Sequence, residues 1–73
     1  MKYISSNPEI MGGDPVIAGT RVPIERILFL LRHGNTIQEI HEMYDWVSLA
    51  KLKGAIEETA EYIATTLHAK KAL

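Results

Sequence analysis

The segment Gly12-Gly13-Asp14-Pro15-Val16-Ile17-Ala18-Gly19-Thr20-Arg21-Val22-Pro23 constrains this chain more than any other. Glycine accepts positive φ, while proline fixes φ and cannot donate a backbone hydrogen bond. A stretch holding both therefore punctuates a chain rather than prolonging an element. Between the glycines lies one short apolar run, Val16-Ile17-Ala18, which has room for an extended piece that Gly19 ends. The residues before it are brief and irregular. Ile4 and Ile10 flank Ser5-Ser6-Asn7-Pro8, a turn signal because Pro8 pushes Asn7 out of the helical region. Extended pieces are expected around 2–5 and 9–11, with the third at 16–18. Strands this short need helices, or a second copy of the chain, to cover them.

Everything after the segment has helical periodicity. Helix 1 is expected to begin near Pro23, since proline suits the first helical position, and Glu25 complements the dipole there. Its stripe is Ile24, Ile27, Leu28 and Leu31, and Gly34 supplies the left-handed residue beyond its end. Ile27-Leu28-Phe29-Leu30-Leu31 is an unbroken apolar run. Consecutive helical residues sit ~100° apart, so one stripe cannot hold them all. Either the helix is buried on more than one side, or Phe29 and Leu30 face a partner. Thr36-Ile37-Gln38-Glu39 is a capping box that opens helix 2, whose apolar face is Ile37, Ile40 and Tyr44. Asp45-Trp46-Val47 breaks it, with Trp46 expected as a plug over the core. Ser48 caps helix 3, whose stripe runs Leu49, Leu52, Ile56, Ala60, Ile63, Leu67. Glu57, Glu58 and Glu61 are expected on the opposite, solvated side, and Gly54 lies off the stripe. The tail, His68 to Leu73, is expected to fray, with Lys70 and Lys71 placed favourably against the dipole.

The fold predicted is mainly α: short N-terminal strands and turns over 1–22, then a three-helix, helix-turn-helix-like (homeodomain-like) bundle over 23–73, in a single domain. At 73 residues the chain can bury only a modest core. It has no cysteine, which excludes disulfides, thiolate metal sites and cysteine nucleophiles. Eight Lys and Arg against nine Asp and Glu give a net charge of -1, with no general attraction to nucleic acid or acidic membranes. No apolar run approaches the ~20 residues of a membrane span, and the N-terminus lacks the apolar block of a signal peptide. No membrane association is expected, and a cytoplasmic location is.

Three spacings bear on chemistry. Helix 2, a break and helix 3 have the outline of a helix-turn-helix, in which the start of the second helix approaches base edges. Lys51 and Lys53 stand there, where a cation opposes the dipole, so their charge suggests a use. Two solvated lysines on a plain bundle are the alternative, and the glutamates that follow would repel phosphate. The glycine segment lacks the spacing of a P-loop or a dinucleotide fingerprint. Gly13, Pro15, Gly19, Thr20 and Pro23 are read as turn residues, and Arg21 as either a brace for Asp14 or an exposed contact. His33, His41 and His68 form no metal spacing with each other or with carboxylates, and no serine adjoins a histidine. No cofactor, metal or catalytic residue is expected.

The residues Gly13, Pro15, Ile17, Gly19, Thr20, Arg21 and Pro23 resemble the signature of a small prokaryotic family, domain-of-unknown-function family four-three-three. The lead-in to helix 2, His33-Gly34-Asn35-Thr36-Ile37-Gln38-Glu39-Ile40, is similar to that family as well. Trp46-Val47-Ser48 departs from the Pro-containing turn often found there. The resemblance implies a helix-turn-helix-like, often dimeric, antitoxin-like protein associated with PIN-like ribonucleases. On that basis the expected function is non-catalytic. The chain would neutralise a PIN-like ribonuclease toxin through Phe29, Leu30 or the C-terminal tail, and as a homodimer it would bind operator DNA through Lys51, Lys53 and Arg21. The alternatives are a DNA-binding regulator without a toxin and a structural dimer module.

Overall fold

The computed structural model describes residues 1–71, with side chains through Leu67. Its elements are β1 (Ile4–Ser5), β2 (Val16–Ile17), α1 (Ile24–Arg32), α2 (Ile37–Met43) and α3 (Leu49–Lys71). This is the mainly α fold with short N-terminal strands that the sequence pattern predicts. β1 and β2 are antiparallel, with Ile4 opposite Ile17 and Ser5 opposite Val16.

Residues 9–11, expected to be extended, instead belong to two tight turns. The Ile10 N–H donates to the Asn7 carbonyl at 2.8 Å, and the Glu9 N–H to the Asn7 side chain at 2.9 Å. That side chain offers the backbone a local partner in place of a strand ladder. Met11, Gly12 and Gly13 then share positive φ, at 52°, 65° and 93°. The glycines adopt that geometry freely, whereas Met11 is carried into it.

The stretch from Pro15 to Ile24 closes on itself. The Ile24 N–H donates to the Pro15 carbonyl and the Ile17 N–H to the Val22 carbonyl, both at 2.9 Å. The Thr20 N–H reaches the Ile17 carbonyl at 3.0 Å. Gly19 takes the positive φ this turn needs, 79°. Pro23 bridges to Val16 in extended geometry, so it caps α1 rather than occupying its first turn.

Local signals read from sequence set the helix ends. The Thr36 hydroxyl accepts from the Glu39 N–H at 3.1 Å, and the Glu39 carboxylate accepts from the Thr36 N–H at 2.8 Å. Ser48 Oγ accepts from the Lys51 N–H at 3.1 Å. Gly34 has φ 90°. It donates to the Leu31 carbonyl at 3.0 Å, while Asn35 donates to Leu30 at 3.1 Å. This pairing of bonds is a Schellman ending.

Ile17, Val22, Ile24, Ile27, Leu30, Ile40, Val47, Leu52 and Ala55 form the core, flanked by Tyr3, Ile4, Leu31, Tyr44 and Ile56. Each fully buried aliphatic side chain here stabilises the fold by about 1.5–3 kcal/mol. α2 lies against both α1 and α3, and α3 also meets β2. Three expectations are corrected. Trp46 is 67% exposed, and its neighbour Val47, 1% exposed, fills the core beneath the α2–α3 break. Gly54, read as off the packing face, is buried because the Tyr3 ring lies against it. The stripe of α3 is buried only near its start. Leu52 is fully covered and Ile56 half-buried, but every residue from Ala60 to Leu67 is exposed. The helix continues to Lys71. The expected fraying of the last residues, and the Lys70 and Lys71 side chains, lie outside what is described.

Candidate interaction surfaces

Arg21, Lys51 and Lys53 do not form one basic face along the start of α3. Lys51 is half-buried, and its ammonium donates to the Ala18 carbonyl at 3.1 Å, tying α3 to the end of β2. The same Nζ lies 3.1 Å from where a Cβ on Gly19 would stand. Glycine at that turn thus admits the cation as well as the positive φ. Lys53 and Arg21 are exposed. Among the described residues Arg21 makes no ion pair, with Asp14 or with any other carboxylate. It does not brace the turn.

The turn is braced by Thr20. Its hydroxyl donates to the Ile17 carbonyl at 2.8 Å and accepts from the Val22 N–H at 3.0 Å. Gly13 is held from the other side, its carbonyl accepting from the Ser6 hydroxyl. Pro15 offers its carbonyl to the first N–H of α1. Glu58, expected on the solvated side of α3, instead accepts from the backbone N–H groups of Lys2 at 2.7 Å and Tyr3 at 2.9 Å. This clamps the N-terminus to the helix. The residues are far apart in sequence, and periodicity alone gave no sign of the contact.

Phe29 and Leu30 separate. Leu30 is 7% exposed and belongs to the core, so it presents no partner-facing surface. Phe29 is exposed on α1. Its ring lies 4.2 Å from the His33 ring and 5.4 Å from the Arg26 guanidinium, at helical spacings that hold it on one face. Beside it, Leu28 is also exposed.

These side chains mark one end of a groove made of three neighbouring hollows that share lining residues. A hollow of about 260 Å³ between α3 and the N-terminal strands is lined by Met1, Ile4, Pro15, Ile24, Thr59 and Tyr62. Through Pro15 and Ile24 it runs into a second hollow that reaches Leu28, and through Leu28 into a third beside Phe29 and Arg32. Asp14, Glu25 and Arg32 supply its charged rim. The groove thus crosses from the projecting half of α3, over the N-terminal turn, to the outer face of α1.

A separate depression lies where Ser5, Ile10, Gly19, Thr20, Arg21 and Trp46 meet. Ile4 lines the groove and Ser5 this depression, as alternation along a strand requires. The depression is open and its walls are mixed in character. Among the described residues no three His, Asp or Glu side chains come together as a metal site would need.

The model of the family described as "Protein of unknown function (DUF433)" matches residues 4–58. The chain belongs to the DUF433 family. A curated relative, uncharacterized protein y4eO of Sinorhizobium fredii (strain NBRC 101917 / NGR234), is 30% identical over 52 residues. That alignment covers 71% of this chain but 24% of the relative, so the chain spans about a quarter of that protein's length. No solved structure matches significantly. The DUF433 match takes in both strands, α1, α2 and α3 as far as Glu58, the residue that clamps the N-terminus. Its end falls where α3 leaves the core. The groove therefore combines DUF433 residues Ile4, Pro15, Ile24 and Leu28 with Thr59 and Tyr62 beyond the match. No helix among the described residues is long and apolar enough to cross a membrane.

Proposed function

We propose that this chain is a non-catalytic, antitoxin-like binding module that neutralises a PIN-like ribonuclease by receiving an apolar segment of it in the α1–α3 groove. The observation that carries the reading is the groove itself. It is a row of adjoining hollows, largely apolar, and flanked by the exposed Leu28, Phe29 and Tyr62. A face of this kind suits an amphipathic helix laid along it, with apolar residues at helical spacing entering successive hollows. The nature of the partner comes from the signature running from Gly13 to Pro23.

Phe29 keeps the role the sequence suggested, Leu28 takes the place of Leu30, and Tyr62 is added. Any operator binding would rest on the exposed Lys53 at the start of α3. Co-expression with the product of an adjacent PIN-like reading frame tests the proposal. The groove reading predicts rescue of growth by the wild-type chain and loss of rescue with Leu28→Ser and Phe29→Ser together. Rescue that survives both changes would place the contact elsewhere.

A further inference from the structure

We infer that the depression lined by Arg21 and Trp46, with the Lys51 ammonium beside its Gly19 edge, is a second binding site, which takes a carboxylate-bearing segment of a partner protein. The first ground is what remains once the turn is explained. Within Gly13 to Pro23, the glycines, prolines and Thr20 all serve backbone geometry or close the turn. Arg21 is left exposed and without an ion partner among the described residues. Lys51 adds a second cation at the margin of the same depression, beside Gly19. An ammonium has three donors. One goes to Ala18, and no carboxylate among the described residues takes the others.

The second ground is Trp46. It is the chain's sole tryptophan, 67% exposed. It is nevertheless held, with its ring 5.5 Å from that of Tyr44 at 72°, an edge-on contact of the kind aromatic pairs prefer. An exposed tryptophan that shares a depression with an unpaired arginine has the composition of a protein interface anchor. The depression, about 530 Å³, has room for an acidic side chain next to an apolar one. A polynucleotide fits less well. The depression offers two cations, Arg21 in its wall and Lys51 at its margin, whereas nucleic acid binding is built on several phosphate contacts.

Trp46 supplies its own readout. Its emission is followed at low salt while the full chain is titrated with three probes: a blocked ten-residue peptide of Glu, Asp and Leu, its Gln, Asn and Leu counterpart, and a ten-nucleotide single-stranded oligothymidylate. A saturable change with the acidic peptide is expected, weakened about tenfold in the uncharged counterpart and in Arg21→Gln, as loss of a charge-assisted contact implies. Added salt should weaken it further. Three results would each overturn the assignment: no saturable change with the acidic peptide, equal binding of the two peptides, or tighter binding of the oligonucleotide. The Leu28→Ser, Phe29→Ser chain should give the wild-type titration. Failure of this site and failure of the groove are therefore separate results.

Discussion

Replacing Gly54 with alanine asks whether the N-terminus is truly seated on α3. In an ordinary helix interior the change stabilises by about 1 kcal/mol, because glycine has more conformational freedom to lose. Here the new Cβ would stand 2.4 Å from Tyr3 Cδ2 and 2.7 Å from Tyr3 Cγ. Cγ lies on the axis about which the ring turns, so ring rotation brings no relief. Either the Tyr3 side chain leaves the helix face or the N-terminal backbone moves. The second course strains the bonds from the Lys2 and Tyr3 N–H groups to Glu58. Overpacking of this kind costs about 1–3 kcal/mol, which exceeds the gain in propensity. Gly54→Ala should therefore destabilise by up to about 2 kcal/mol net and lower Tm by up to roughly 16 °C. Thermal unfolding followed by far-ultraviolet circular dichroism, at one protein concentration, gives the number. In a Tyr3→Ala background the obstacle is gone, and Gly54→Ala should instead raise Tm by about 4–8 °C, the return of the ~1 kcal/mol propensity term. A rise of that size in the otherwise wild-type chain would refute the packing argument.

Two further substitutions test the turn segment. Thr20→Val removes a hydroxyl that bonds two backbone groups at once. It should cost about 1–3 kcal/mol in urea unfolding, whereas Thr20→Ser, which keeps the hydroxyl, should stay within about 1 kcal/mol of wild type. Met11 holds φ 52° with an exposed side chain. Met11→Gly should therefore stabilise by roughly 0.5–1 kcal/mol, and Met11→Val should destabilise, by the same unfolding measurement.

What the sequence made legible was local. The Thr36–Glu39 box, the Ser48 cap and Gly34 each work within a few residues, so their chemistry shows in the order of the letters. The turn at Gly19 and Thr20 was legible as a turn, but the double bond of the Thr20 hydroxyl was not. Contacts made across the fold left no such trace. Lys51 and Ala18 are 33 residues apart, and Lys2 and Glu58 are 56 apart. Each lysine or glutamate looked like any solvated charge until the chain was folded. Trp46 and Val47 show another limit. Both are apolar and adjacent, and size favoured the tryptophan as the plug, yet the short break between α2 and α3 turns the smaller side chain inward.

Periodicity likewise predicted α3 as one stripe. It could not say that the covering elements end near Ile56, which leaves Ile63 and Leu67 about half exposed, at 49% and 56%. The α3 wall of the groove, at Thr59 and Tyr62, arises from this mismatch between a long amphipathic helix and a small core. Phe29 and Leu30, indistinguishable in an apolar run, point to different sides of α1 because consecutive helical residues sit ~100° apart. Ile24, Ile27 and Leu30 share the buried face of α1, and Phe29 is turned away from it.

The central claim is that the α1–α3 groove holds a protein partner. Co-purification of the chain with a co-expressed PIN-like ribonuclease, followed by light scattering on the eluted species, tests it most directly. The groove account predicts a stable complex with the wild-type chain. It also predicts that Leu28→Ser with Phe29→Ser leaves the chain folded but eluting free of the ribonuclease. A complex of unchanged mass and yield from the doubly substituted chain would contradict it.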